Sequence, residues 1–310
     1  MPNEHGLYHV IDAQQFDHPL LHDLFEQADE MQTIVRQGGS EVLRGKIMAA
    51  MFYEPSTRTR LSFEAAMLRL GGDVIGTEAG NQFSSAVKGE TLADTIRIIN
   101  GYCDVIVIRH KEAGSAREAS LHSAIPVINA GDGPGQHPTQ ALLDIYTIEK
   151  EVPGGIEGST VVMVGDLLNG RTTHSLAYLL ALYEGVRIIF VAPSVVRMRD
   201  DVKSFLTERN VPFEETTDLQ KALKEADVVY QTRVQKERFG DRVEDYEKAH
   251  GKYVIDNKAM RLLKPNAIVM HPLPRVDEIN TEVDTDPRAA YFGQAHNGVY
   301  IRMALLLMVL

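Results

Sequence analysis

The sequence predicts an α/β protein of two domains, each a parallel sheet flanked by helices. Short apolar runs of strand length alternate with amphipathic runs of helix length from residue 45 onward. That alternation is the pattern of parallel strands joined by right-handed crossovers. It stops and restarts around the breaker cluster Glu151-Val152-Pro153-Gly154-Gly155, a natural domain junction. A chain of 310 residues is long enough for two such cores.

In order, residues 1–16 offer only a short apolar segment, Leu7 to Ile11. Residues 17–39 read as an amphipathic helix with Leu20, Leu21, Leu24, Phe25, Ala28, Met31 and Ile34 on its apolar face, opened by Asp17 and Pro19 and closed by Gly38-Gly39. Residues 45–52 are apolar enough for a buried strand, and 61–70 carry a helical pattern closed by Gly71-Gly72. Between them Tyr53-Glu54-Pro55-Ser56-Thr57-Arg58-Thr59-Arg60 is a strand-to-helix turn, with Ser56 and Thr57 as N-cap residues. A short strand at 73–76 leads into a polar loop over 77–89 that carries Ser84, Ser85 and Lys88. Loops of that length in a compact domain are functional or mobile.

A helix at 91–100, a strand at 104–108 ending on Arg109-His110, a helix at 116–123 and a strand at 126–130 follow. A turn-rich segment then feeds a helix at 141–150, which puts His137 near a helix start and Gln140 one turn along on the same face. The second half gives strands at 160–165, 187–192, 227–230 and 267–270, with helices at 174–183, 197–209 and 219–225. A loop over 166–173 follows the first of these strands, and His271-Pro272-Leu273-Pro274-Arg275 follows the last. Residues 299–310 form an apolar helix, well short of the roughly 20 residues a membrane span needs.

A net charge of −11 disfavours nucleic acid and anionic membrane as partners, since both demand basic surfaces. The only cysteine, Cys103, excludes an intrachain disulfide and reads as a small buried hydrophobe. With no signal pattern at the start, the expected compartment is the cytoplasm. Neither half carries Gly-x-Gly-x-x-Gly or Gly-x-x-x-x-Gly-Lys, so the lone Gly165 is weak evidence for a nucleotide. No His-Glu-x-x-His, clustered carboxylate or Gly-x-Ser-x-Gly pattern occurs, and neither metal nor cofactor is expected.

Arg58, Arg109, His137, Arg171, Arg233 and His271 all lie just past predicted strands. In open α/β sheets the ligand crevice lies outside those ends. Arg58 and Arg60 stand where a helix already carries partial positive charge. They are either solvated residues of a capped helix or partners of a bound anion. The first half offers hydroxyls, a loop lysine and arginines at helix starts, which suit phosphate. Arg171 and Arg233 suit carboxylates, which planar guanidinium groups bind through two bonds.

Ser-Thr-Arg-Thr-Arg at 56–60, His-Pro-Thr-Gln at 137–140 and His-Pro-Leu-Pro-Arg at 271–275 together resemble the carbamoyltransferases. Thr-Arg-Val-Gln-Lys-Glu-Arg at 232–238 is similar to the aspartate branch of that family, and the likeness covers nearly the whole chain. It implies a carbamoyl phosphate domain of residues 1–137 plus 288–310, with the C-terminal helix packing back on it, and an aspartate domain of 138–287. Ser56, Thr57, Arg58 and Thr59 would hold the phosphate with help from Arg109. Thr59, Arg109 and His137 would face the carbonyl oxygen, and Gln140 the carbamoyl nitrogen. Arg171, Arg233 and Gln235 would grip the carboxylates of L-aspartate, with Pro272 and Leu273 contributing backbone.

Ser84 and Lys88 would reach into a neighbouring subunit of a homotrimer, with Ser85 an alternative to Ser84. The implied product is N-carbamoyl-L-aspartate, early in pyrimidine biosynthesis, and regulatory chains are left open. An ornithine enzyme ranks second, because a cationic side chain would not want two arginines beside it. A non-enzymatic anion-binding protein is the competing class.

Overall fold

The computed structural model describes residues 6–78, 89–234, 236, 239–240 and 243–310. They form two compact units, Met1–Leu142 with Asn297–Leu310, and Leu143–His296.

In the first unit, α1 (His18–Arg36), β1 (Ile47–Phe52), α2 (Thr57–Arg69), β2 (Asp73–Glu78) and α3 (Leu92–Ile99) are followed by β3 (Val105–His110), α4 (Ser115–His122) and β4 (Val127–Asp132). The strands make one parallel sheet in the order β2-β1-β3-β4. Asp17 caps α1 by accepting the Leu20 N–H at 2.9 Å, and of the face expected from its spacing the helix buries Leu21, Leu24, Ala28 and Met31, leaving Leu20, Phe25 and Ile34 half-buried at its margins. Residues 7–16 have a role that their composition does not reveal. Val10 bridges Ile128 in parallel, donating to the Val127 carbonyl (2.8 Å) and accepting from Asn129 N–H (2.7 Å). This strip covers the outer edge of β4 with too few ladder bonds to leave a period in the sequence.

The second unit takes most of α5 (Pro138–Glu151), then β5 (Thr160–Val164), α6 (Arg171–Leu180), β6 (Arg187–Val191), α7 (Asp200–Glu208) and β7 (Phe213–Thr216). It continues through α8 (Leu219–Glu225), β8 (Val228–Gln231), α9 (Val243–Ala249), α10 (Asn257–Met260) and β9 (Ile268–Met270) into the start of α11 (Tyr291–Val309). Its sheet is parallel, in the order β7-β6-β5-β8-β9. Val162, Val164, Ile189, Val191, Val229 and Val269 meet in one core.

β7 is absent from the apolar pattern because it reads Phe-Glu-Glu-Thr. It is an edge strand whose acids are spent on ion pairs, Glu214 with Arg187 (2.9 Å) and Glu215 with Lys203 (3.2 Å). α5 and α6 begin earlier than their apolar periods, since their first turns are polar, and α11 begins at Tyr291, ahead of its apolar run, through Gly293, Gln294, His296 and Asn297. From Val299 onward α11 is mostly apolar and buries Ile301, Met303, Leu305 and Leu306. Asn297–Leu310 belongs to the first unit, where the Arg302 guanidinium lies 5.1 Å from the Phe63 ring. No helix of the described residues is long and apolar enough to cross a membrane.

Each sheet has a central strand with later strands on both sides: β1 between β2 and β3, and β5 between β6 and β8. Those are topological switch points, where connections leave in opposite directions and the strand ends stay open. Gly165 sits at the second of them with φ +118°, and a Cβ there would stand 2.4 Å from the Thr232 carbonyl oxygen. Thr232 N–H and its hydroxyl both bond the Val164 carbonyl, each at 2.8 Å, so the two chains cannot part to make room. The lone glycine answers a close backbone approach, and its weak case for a nucleotide falls away.

We expect Gly165→Ala to destabilise the protein by roughly 2–4 kcal/mol, combining strain with the clash. Gly101→Ala, whose Cβ would find nothing nearer than 3.5 Å, should stay within about 0.5 kcal/mol of the parent. Thermal midpoints of the two variants check this, and equal midpoints would refute it.

Candidate active site

In the first unit the carboxyl ends of β1, β3 and β4 carry every first-half residue expected to bind ligand and lying within the described chain. Ser56 has the extended backbone of an N-cap (φ −159°, ψ 93°), yet its hydroxyl makes no capping bond. The first-turn N–H groups of α2 therefore lack a side-chain cap and are open to an anion. Arg58 and Arg60, alike in the sequence, part company here. Arg60 Nε lies 2.7 Å from Glu64 Oε1 on its own helix, a structural pair. Among the described residues no carboxylate pairs with the exposed Arg58, and partial burial lowers the pKa of its guanidinium. Thr59 beside it is buried.

Arg109 is still within β3, in register with Phe52 of β1. Its Nη1 donates to the Ala130 carbonyl (3.3 Å), and its Nη2 stands 3.3 Å from Glu54 Oε1. Tyr53 N–H bonds the Arg109 carbonyl (2.8 Å), so this guanidinium is anchored beside the turn that opens α2. After β4, the Asp132 carboxylate takes N–H bonds from Gly114 (2.8 Å) and Gln136 (2.7 Å) and shapes the approach to α5. The Gln136 side chain accepts in turn from Ala13 N–H at 2.9 Å. His137 is buried, and its carbonyl accepts from the N–H groups of Gln140 (3.0 Å) and Ala141 (3.2 Å). Pro138 fills the first helical position, where no N–H is needed. His137 and Gln140 thus stand one turn apart at a helix start.

In the second unit Arg171 is the first residue of α6, not part of a loop, and is buried. The turn before it is tied by Asp166 accepting from Asn169 N–H (3.0 Å), and by the ring of buried His174, whose Nε2 donates to the Leu167 carbonyl (2.8 Å). Arg233 follows β8 at the other side of the switch point and is half-buried.

After β9, His271 stands just past a strand end like the arginines, but it is turned inward and only 2% exposed. Its Nε2 lies 2.7 Å from Glu278 Oε1, while its Nδ1 accepts the Leu273 N–H at 2.7 Å. Burial pushes the Glu278 carboxyl pKa up. The bond from His271 and the backbone N–H groups that bond it outweigh that and hold it below the usual carboxylate range. Leu273 is thereby kept at φ +53°, a left-handed conformation unusual for a branched side chain. Glu278, Asp132 and His174 carry no local motif that spacing could single out. Ser84, Ser85, Lys88 and Gln235 lie outside the described residues.

Two guanidinium groups and an uncapped helix start at one sheet end suit a compact anion such as phosphate. Two more guanidinium groups at the second sheet end, beside an immobilised backbone loop, suit a ligand with carboxylates. Among the described residues no His, Cys, Asp and Glu side chains group as a metal site.

The family model described as "Aspartate/ornithine carbamoyltransferase, carbamoyl-P binding domain" matches residues 8–150, and the model for the "Asp/Orn binding domain" matches 157–309. A chloroplastic aspartate carbamoyltransferase of Oryza sativa subsp. japonica is 59% identical over 307 residues, covering 97% of this chain and 84% of the relative. The aspartate carbamoyltransferase catalytic subunit of Clostridium novyi is 49% identical over 301 residues, covering 97% of both. A crystal structure of the Trypanosoma cruzi aspartate transcarbamoylase with carbamoyl aspartate and phosphate superposes with a TM-score of 0.92 at 43% identity. It covers 98% of this chain and 96% of that one. With both halves matched in order and the arginines of each half at their own switch point, this chain belongs to the aspartate/ornithine carbamoyltransferase family.

Proposed function

We propose that this protein transfers the carbamoyl group of carbamoyl phosphate to the amino group of L-aspartate, releasing N-carbamoyl-L-aspartate and phosphate at an early step of pyrimidine biosynthesis. The observation that carries the reading is the placement of Arg58 and Arg109 astride one switch point and of Arg171 and Arg233 astride the other. The Trypanosoma cruzi relative, crystallised with carbamoyl aspartate and phosphate, supports it.

In this reading Ser56, Thr57, Arg58, Thr59 and Arg109 hold the phosphate. Thr59, Arg109 and His137 aim at the carbonyl oxygen, and Gln140 takes the carbamoyl nitrogen. Arg171, Arg233 and Gln235 grip the aspartate carboxylates, with Pro272 and Leu273 offering backbone. The uncharged α-amino group attacks the carbamoyl carbon and forms a C–N bond. Negative charge builds on the carbonyl oxygen, where donors already in place stabilise it. The C–O bond to phosphate then breaks, and a phosphate oxygen takes the amine proton, so no protein nucleophile is required. Holding two anions in reacting geometry lowers the barrier further, and the guanidinium lining offsets their mutual repulsion.

The homotrimer, with Ser84 and Lys88 entering a neighbour's site, belongs to the same proposal. Its support in this chain is α2, which leaves Leu61 and Leu68 more than half exposed, seven positions apart on one face. The ornithine reading lacks such support, since Arg171 and Arg233 would repel a cationic side chain.

Arg58→Ala should lower kcat by about 100- to 1000-fold while leaving the thermal midpoint unchanged, because the side chain is exposed. A variant that unfolds, or that turns over normally, would count against the assigned role. Phosphate release from carbamoyl phosphate should depend on aspartate and not on ornithine, and the reverse dependence would overturn the substrate assignment. Light scattering of the purified protein should return three times the 34.5 kDa chain mass; a monomer active at the same concentration would exclude shared sites.

A further inference from the structure

Behind the second half-site lies a buried polar hub that no substrate contact requires. Asp144, on α5, is wholly buried, as are Tyr230 on β8 and Gln294 on α11. Tyr230 donates its hydroxyl to Asp144 Oδ2 at 2.6 Å, and Gln294 Nε2 donates to Asp144 Oδ1 at 2.6 Å. The His271 N–H can only donate, so it fixes the Gln294 amide with Oε1 toward it, at 2.8 Å, and Nε2 toward Asp144.

His271 is the first residue past β9. One residue pair earlier, the same edge of that strand is paired by backbone, Val269 N–H to the Arg288 carbonyl (2.7 Å) and Ala290 N–H to the Val269 carbonyl (2.9 Å). At His271 a side chain replaces backbone, so the strand stops and the 271–275 loop begins where Gln294 allows. Tyr230 itself precedes the Thr232-Arg233 pair on the same chain. One carboxylate therefore stands behind the two segments that carry Arg233 and Pro272-Leu273.

We propose that Asp144 and Gln294 are positioning residues for aspartate, setting the start of the 271–275 loop and its relation to the end of β8. The proposal rests on the functional reading above for the identity of the ligand. A merely structural pair would lower stability and weaken both substrates alike. A positioning pair acts on the aspartate half-site alone, because every contact described lies within the second unit.

The test compares steady-state constants and amide exchange in the intact chain. Gln294→Met keeps the length of the side chain and removes both bonds. It should raise KM for aspartate roughly tenfold, as expected for one buried donor losing its acceptor. KM for carbamoyl phosphate should stay within about twofold of the parent, and hydrogen exchange at His271 and Leu273 should quicken. The paired change Asp144→Asn with Gln294→Glu reverses one bond and keeps a donor facing an acceptor in each of the three contacts described. The new carboxamide on α5 would accept from Tyr230 and donate to the new carboxylate on α11, which would still accept the His271 N–H. That pair should restore the aspartate KM to within about threefold, whereas Gln294→Glu alone, with two carboxylates in contact, should not.

An unchanged aspartate KM in Gln294→Met, a parallel rise for both substrates, or unaltered exchange at His271 would each overturn the proposal. Absence of aspartate turnover in the unsubstituted chain would refute the functional reading instead. The exchange measurement would still decide whether Gln294 sets the loop.

Discussion

A strand in a parallel sheet can bond only to its two neighbours, and its connection must leave by one face. When later strands are added on both sides of it, successive crossovers leave in opposite directions, and the backbone cannot close over the strand ends. β1 and β5 are both in that position. Every ligand-directed side chain expected of this chain and lying in the described residues follows from it, because loops after β1, β3, β4, β5, β8 and β9 are the segments free to present one. The same crowding explains Gly165, which sits where two strand ends approach too closely for a side chain.

Gathering positive charge in a molecule of net charge −11 is favourable at long range but awkward locally, since guanidinium groups at one sheet end repel one another. The fold gives two of them a separate counterweight. Arg60 is neutralised on its own helix by Glu64, and Arg109 is held between the Ala130 carbonyl and Glu54. Arg58 has no carboxylate among the described residues and stands exposed at a helix start. It is the group whose charge is least offset by its surroundings, and hence the one with most to gain from an anionic ligand.

The second unit solves a different problem, that of holding backbone rather than charge. A loop that offers carbonyl and amide groups to a ligand must not relax toward its own preferred conformation. His271, Glu278 and Gln294 hold the 271–275 segment from within, and Arg275 closes its far end through Asp284, with Arg275 Nη2 2.6 Å from Asp284 Oδ2. These contacts are charge-assisted or buried, so they are stiff where single neutral surface bonds would not be.

Much of this was readable in residues alone. Alternating periods of apolar residues named the fold class, and the short motifs at 56–60, 137–140 and 271–275 named the family, because each is a local pattern that survives in one dimension. What one dimension lacks is pairing. The polar edge strand β7, the strip at 7–16 and the early starts of α5, α6 and α11 are held by partners distant in sequence and leave no period. For the same reason Arg58 and Arg60 are equivalent in the sequence and are separated only by Glu64, and His271 stands at a strand end like the arginines but is taken up by Glu278. Residue order thus names the side chains able to do the chemistry. Which of them are already spent on the protein is settled by folding, since that depends on neighbours brought together from distant parts of the chain.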